Sequence, residues 1–522
     1  MLEKLLYTKI APHINLSDTQ HGFRAGRSTV TALLPLVHQI ATGLNQPYPI
    51  HRTVSMAVDF SKAFDTVNHT TLLTDIHNTT MAHNTIRWLT TYLRGRTAIC
   101  RYNNSPSKSN VIHTGVPQGS ILSPLLFNLY VSQFPQSPYT LTTSYADDFT
   151  VSATAESTSD ATATLAAHAN EVEQWASDRD LQISAQKSTV TLFTSQTREV
   201  NKHPAIPFNN ATLPLDKNPK ILGVNFDPTL TFCAHVDNTV KKAKQRLSIM
   251  KALAGTTWGQ QKESLINTYK ASIRSLHTYA CPIWFPHISH TNITKLQRVQ
   301  NAACRIATGS VKLSAESHLH AETKLLPVQD HLSLLSSQFL ATSLQPGHVS
   351  YPTVTADAGP RDMKTTLQRR FGPQVLRFFV DGAVQDAKEA RKQLHAEFVE
   401  SSLQARPLNR VLNLQPPDIA EDEIVLPRQY RTTLSQLRSG HCSALNTYKH
   451  RIGITDTDTC PSCSQSPHNT QHIFACPSHP TTLCAKDLWE RPAEVADFLA
   501  TLPFFRFGVP PRPPPEPPPP DH

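Results

Sequence analysis

Asp147 and Asp148 are adjacent carboxylates inside the run Ser144-Tyr145-Ala146-Asp147-Asp148-Phe149-Thr150-Val151. Like charges held that close raise each other's pKa unless a cation neutralises them. Asp59 closes a second apolar run, Val54-Ser55-Met56-Ala57-Val58. Three carboxylates gathered on adjacent strands make a hard oxygen cage suited to Mg²⁺, or Mn²⁺ in its place. Two such ions carry out phosphoryl transfer, one activating a primer 3′-hydroxyl and the other steadying the leaving pyrophosphate. A different chemistry is written near the end of the chain. Cys460, Cys463, His472 and Cys476 follow a Cys-x₂-Cys-x₈-His-x₃-Cys pattern. Two thiolates on a tight turn, with a His and a Cys one helical turn apart, suit a closed structural Zn²⁺ site. His468, His479 and Cys484 lie close enough in sequence to replace His472 as a ligand.

The elements that must position these groups follow from periodicity. Val54, Met56 and Val58 alternate with smaller residues, which predicts a strand ending at Asp59. Residues 140–153 read as a β-hairpin with Ala146-Asp147-Asp148 at its tip. Leu165, Ala169, Val172 and Trp175 share one face of an amphipathic helix, and Val190 with Leu192 marks another strand. Helices are expected through Leu72, Trp88 and Leu93 up to Gly95, and after Pro117-Gln118-Gly119 through Leu125 and Leu129. The segment Ile221–Phe226 reads as one further short strand. The resulting order is an α+β layer, with helices backing a small antiparallel sheet.

Several blocks resemble the reverse transcriptases of non-LTR, LINE-type (jockey-like) retrotransposons. Tyr145-Ala146-Asp147-Asp148 is similar to their polymerase box. His21-Gly22-Phe23-Arg24-Ala25-Gly26-Arg27-Ser28-Thr29 resembles the fingers motif, and the run from Ala57 to His69 resembles the first catalytic motif. Gly115 to Pro124 resembles the template-handling motif, and Lys187 with Leu222-Gly223-Val224 resembles the two later palm motifs. The resemblance implies a right-hand polymerase: partial fingers over 1–50, a palm over 51–235 and a basic helical thumb over 236–330. It implies Asp59, Asp147 and Asp148 as ligands of two Mg²⁺ ions. Phe64 would lie under the incoming sugar and exclude a 2′-hydroxyl. Gln118 and Gly119 would line the nucleotide and template pocket, Arg24 and Arg27 would neutralise the triphosphate, and Lys187 would sit near the leaving group. Asp65 is expected to be structural, capping or pairing locally. The partners implied are an RNA template, a DNA primer or target, and dNTPs. Non-LTR elements also carry a similar Cys/His segment after the thumb, which extends the resemblance to residues 429–490 and to nucleic-acid contact there. Relative to that family the chain begins after the first fingers strands, so an N-terminally truncated copy without an upstream endonuclease domain is expected.

Charge agrees with a polyanionic partner. The chain carries +9 overall, and between Val236 and Lys312 twelve Lys/Arg face two acids, Asp237 and Glu263. Forty prolines against 17 glycines predict extended segments, namely a connector over 331–428 and a Pro-rich tail over 491–522. No apolar run long enough to span a bilayer is present. Nine scattered cysteines fit a reducing compartment, so an intracellular, nuclear or cytoplasmic, location is expected. The second reading of the same residues is a catalytically inactive nucleic-acid-binding fragment of such an element.

Overall fold

The computed structural model describes residues 2–255, 257–356, 359, 365–366, 387–404 and 407–507. Two compact units emerge. One gathers Met1–His235, Ala280–Ser289 and Leu335–Lys392; the other gathers Val236–Tyr279, His290–Leu334 and Gln393–His522. Where described, the segments expected to be extended are partly helical: Val328–Ser343 and Ala387–Gln404 fall largely in the connector, and Pro492–Thr501 opens the Pro-rich tail with Val495 and Leu499 in a core. The middle of the connector and the end of the tail, residues 508–522, lie outside the described residues.

The first unit opens with helices α1 (Leu2–Ile10) and α2 (Thr29–Asn45), then strand β1 (Arg52–Val58). Helices α3 (Ala63–Thr66), α4 (His69–His77) and α5 (His83–Leu93) follow. A ribbon of β2 (Thr97–Ala98), β3 (Arg101–Tyr102), β4 (Ser105–Pro106) and β5 (Asn110–Val111) is exposed along its length. Helix α6 (Ser123–Tyr130), the hairpin β6 (Leu141–Tyr145) and β7 (Asp148–Ala155), helix α7 (Thr158–Asp178) and β8 (Thr189–Phe193) complete the scaffold.

The sheet order is β6-β7-β1-β8, antiparallel throughout. Its two faces are covered by different chemistry. Val54, Met56, Val58, Val151, Ala153, Val190 and Leu192 join Leu165, Ala169 and Val172 of α7 in one buried apolar cluster. Ser157 caps α7, accepting a hydrogen bond from Asp160 N–H at 3.1 Å. The opposite face presents buried Thr53, Ser55, Thr143, Thr150, Ser152 and Thr191. There α2 packs closely: Ser152 donates to Gln39 at 2.5 Å, and a Cβ at Gly43 would meet the Thr154 methyl at 3.0 Å. The alternation in β1 therefore marks a strand buried on both faces, with small hydroxyl residues fitting a closely approaching helix. Behind the sheet, Arg179 at the end of α7 bonds Asp75 of α4 at 2.7 Å, Tyr130 O at 2.7 Å and Gln133 at 2.7 Å. One buried guanidinium thus fixes α4 and α6 against α7.

The expected strand over Ile221–Phe226 is instead a tight hairpin. Lys220 pairs with Asn225 and Ile221 with Val224, while Leu222 (φ 44°) and Gly223 (φ 84°) form a two-residue turn. An apolar run of this length does not reveal a reversal, and a leucine in the left-handed region hides it further.

In the second unit, helices Cys233–Leu253, Lys262–Tyr269, His290–Thr308 and Glu316–Thr323 carry the basic stretch. Toward the C-terminus, helices Arg428–Arg438, Thr470–Ala475, Asp487–Glu490 and Pro492–Thr501 surround a core of Leu434, Leu437, Ile473, Leu488, Trp489, Val495 and Leu499. Arg438 is fully buried at the centre. It donates to Leu488 O at 2.9 Å and Glu322 at 3.1 Å, and also to Glu423. Lys262 completes the set, 3.5 Å from Glu322 and 3.2 Å from Glu423. Burial would raise the Glu322 carboxyl, but Arg438 and Lys262 pull it down to about 2. Among the described residues, no helix is long and apolar enough to cross a membrane.

Candidate active site and metal centre

Strand register decides where the carboxylates meet. Val58 pairs with Phe149 across β1 and β7, so Asp59 and Asp148 continue the same ladder as direct neighbours. Asp148 pairs with Tyr145 and is the first residue of the returning strand; the turn itself is Ala146-Asp147, one residue tighter than the expected tip. Burial raises the Asp148 pKa, and Asp147 and then Asp59 raise it further. The three carboxylates therefore share one electrostatic site.

Asp59 is held through its backbone. Its N–H donates to Ser188 Oγ at 3.1 Å and its carbonyl accepts from Ser184 N–H at 2.9 Å. That loop brings Lys187 Nζ within 3.8 Å of Asp59 Oδ2. The same oxygen is shielded from water and accepts no hydrogen bond among the described residues, an open valence that fits a divalent cation.

Phe64 lies flat on Phe127 of α6, ring centroids 4.3 Å apart, and its edge meets Phe23 at 6.3 Å. Stacking on buried Phe127 fixes the ring at the edge of the core, where it stays half-buried. Asp65 is expected to cap or pair locally, but its carboxylate instead accepts from Gln118 Nε2, 53 residues away, at 3.1 Å. Gly115, at φ +86°, passes so close to Asp65 that a Cβ would lie 2.7 Å from its carbonyl oxygen. Gly119, at φ +91°, has open space where a Cβ would be, so its backbone conformation and not a protein contact calls for glycine. Arg24 donates to Ser17 O at 2.6 Å, and Arg27 pairs with Asp18 at 2.7 Å. Both guanidinium groups thus brace the 17–20 loop.

Sequence reasoning passed over Gln20. It is buried beneath the Ala146-Asp147 turn, and its side chain bonds both main-chain groups of Ala146. Its position immediately before the fingers block was the available signal.

At the Cys/His segment, ligand atoms of Cys460, Cys463, His472 and Cys476 all lie within 4.8 Å of one another. Cys460 Sγ is 4.0 Å from Cys476 Sγ, and Cys463 Sγ is 3.3 Å from His472 Nε2. A tetrahedral zinc would separate such atoms by roughly 3.5–3.8 Å, given its bond lengths. The local sequence makes this geometry. Cys460 O accepts from Ser464 N–H at 2.9 Å, closing the turn, while Asn469 caps the helix bearing His472 at 2.9 Å. The competing ligands fall outside this gathering: His468 Nδ1 accepts from Asn446 N–H at 3.1 Å, His479 meets Ser462 Oγ at 3.0 Å, and Cys484 is exposed. Among the described residues this is the tightest gathering of metal-ligating atoms; the three aspartates are spread more widely.

The basic block divides by role. Lys262 and Lys295 are paired with acids, Lys295 with Asp237 at 2.6 Å. Lys241, Lys242, Lys244 and Lys251 are exposed along helix Cys233–Leu253.

Comparison with known proteins adds a second line of findings. Residues 1–226 match the family model described as reverse transcriptase (RNA-dependent DNA polymerase). The probable RNA-directed DNA polymerase from transposon X-element of Drosophila melanogaster is 29% identical over 327 residues, covering 62% of this chain and 35% of the relative. The RNA-directed DNA polymerase from mobile element jockey of the same species is 24% identical over 361 residues, covering 67% and 38%. The chain thus spans little more than a third of the length of these relatives. Telomerase from Candida tropicalis, solved with a telomeric RNA fragment, aligns at 11% identity and a TM-score of 0.32, covering 72% of this chain and 53% of that one. That likeness is too loose to place any element.

Proposed function

We propose that this chain, which carries a reverse-transcriptase domain of the non-LTR transposon type over residues 1–226, is an RNA-directed DNA polymerase extending a primer 3′-hydroxyl on an RNA template. The observation that carries the proposal is the strand register that sets Asp59 beside Asp148, with Asp147 in the adjoining turn. Asp59, Asp147 and Asp148 would hold the divalent ions, and the open Asp59 Oδ2 fits that use. Bound there, two Mg²⁺ ions supply Lewis-acid activation of the attacking hydroxyl and charge neutralisation at the leaving pyrophosphate. Lys187, 3.8 Å from Asp59, would offer an exposed positive charge beside the reacting phosphates. Phe64, locked by Phe127, supports a steric filter against the ribose 2′-hydroxyl. Arg24 and Arg27 would have to exchange loop carbonyls for triphosphate oxygens to serve as phosphate ligands. The exposed lysines of helix Cys233–Leu253 supply a surface for the nucleic-acid backbone. Cys460, Cys463, His472 and Cys476 would hold one structural Zn²⁺.

The test is primer extension by purified protein on oligo-primed RNA with dNTPs and Mg²⁺, beside the Asp147→Asn/Asp148→Asn double variant. Extension by the wild type alone supports the polymerase. RNA binding by both proteins, with extension by neither in Mg²⁺ or Mn²⁺, establishes the inactive-fragment reading instead.

A further inference from the structure

The segment Thr19–Gly22 runs beside the catalytic hairpin. His21 N–H donates to Ser144 O at 2.8 Å, and Ser144 N–H donates to Thr19 O at 2.9 Å, forming a parallel bridge between Gln20 and Ser144. Gln20, 2% exposed, reaches from this segment under the turn. Its Oε1 accepts from Ala146 N–H and from Gly22 N–H, each at 2.8 Å, while its Nε2 donates to Ala146 O at 3.1 Å. One amide therefore satisfies both main-chain groups of the residue that precedes Asp147. Ala146 is held at φ 57°, a left-handed conformation that alanine seldom adopts without external support. The backbone of Gly22 presses on the same residue: a Cβ there would come within 2.3 Å of Ala146 N. From the other side, Asn128 of α6 donates to Gly22 O at 2.9 Å and fixes the clamp to the scaffold.

We propose that Gln20 is a positioning residue for the polymerase carboxylates: its amide bridge holds Ala146 in the left-handed turn that aims Asp147 and Asp148, and thereby sets the affinity for the divalent ions. The reasoning is that of an outer-shell partner, which orients a ligand without touching the metal. It rests on the metal-binding role proposed above for the same carboxylates.

The discriminating variant is Gln20→Met, which keeps the side-chain volume and removes the amide. Two titrations are read on the full chain: Mn²⁺ binding by the loss of the free-ion electron paramagnetic resonance signal, and extension rate against Mg²⁺ concentration. The bridge predicts an affinity loss of about tenfold in both, as for other outer-shell partners, with the dNTP KM and RNA affinity within about twofold of wild type. Metal titrations matching the wild type would overturn the proposal, since methionine would then fill the space equally well. A measurement on the unaltered protein guards against a variant that fails to fold. If turn and metal are coupled, saturating Mg²⁺ must slow hydrogen exchange at the Ala146 amide; an unchanged rate overturns the proposal too. The two readings fail separately. Wild type that binds Mn²⁺ through these carboxylates but extends no primer removes the polymerase while the bridge is still tested by binding.

Discussion

Removing the guanidinium at the centre of the second unit gives the sharpest test of how that unit is held. In Arg438→Met, Glu322 and Glu423 lose their shared partner while both side chains stay 2% exposed. Breaking a buried ion pair by deleting one member costs about 3–5 kcal/mol, because the surviving charge stays desolvated. Lys262, at 3.5 and 3.2 Å from the two acids, survives the change. The lower end of the range, about 3 kcal/mol, is therefore expected. For a unit of this size that corresponds to a melting-temperature drop of roughly 6–12 °C. Thermal and urea unfolding at neutral pH read the loss. Acid adds a second signature. The Glu322 carboxyl is depressed to about 2 in the folded chain, so its stabilising contribution is present above the unfolded value of about 4.3 and is lost as pH falls toward 2. In the Met variant that acid-limb slope becomes shallower. Adding Glu322→Gln, Glu423→Gln and Lys262→Met to Arg438→Met should recover much of the loss, since the acids and the two cations closest to them are then removed together. A loss below about 1 kcal/mol in the single variant would refute the reasoning, for Lys262 alone would then neutralise both acids.

Three further outcomes follow from the site geometry. Purified protein should carry one zinc per chain by atomic absorption, lost in Cys463→Ser and His472→Ala but retained in His479→Ala; retention in His472→Ala would disprove the ligand set. Phe64→Val should raise ribonucleotide incorporation relative to dNTPs by about tenfold or more in single-nucleotide extension, and an unchanged ratio removes the ring from sugar selection. Gly115→Ala and Gly119→Ala separate close contact from backbone conformation. The first, blocked by the Asp65 backbone at 2.7 Å, should cost about 1–3 kcal/mol beyond the left-handed penalty of about 1 kcal/mol common to both; equal urea midpoints would contradict so close an approach.

The parts of this fold that were legible in the sequence are those where one signal dominates. Alternation at Val54, Met56 and Val58 located β1 and Asp59, and the 4-3 spacing of Leu165, Ala169 and Val172 located α7. The cysteine spacing led to the four ligand atoms, though sequence alone left His468 and His479 as rivals until their other partners were seen. What escaped was long-range or steric. The turn at Leu222-Gly223 sits inside an apolar run, and leucine at positive φ carries no local warning. Gln20 stands next to the fingers block, but nothing local shows that its side chain bonds a turn 126 residues away. Lys262 belongs to the basic stretch read as facing a polyanionic partner, yet two distant glutamates engage it. Pairwise closure across the chain is invisible to periodicity, which reports only how a segment faces its own core.

The order in which the chain is made has a bearing on the two units. Ala280–Ser289 belong to the first unit but are synthesised only after Val236–Tyr279 have emerged. The helix Cys281–Trp284, with Trp284 fully buried, packs on α2, so α2 leaves the ribosome long before its cover exists. The second unit waits longer. Lys262, Glu322 and Glu423 all precede Arg438, and the acids must remain hydrated in the nascent chain until that arginine arrives to be buried with them. The buried charge cluster of the second unit is therefore completed only when Arg438 emerges, and a chain halted before it would hold two acids offset by Lys262 but not by that arginine.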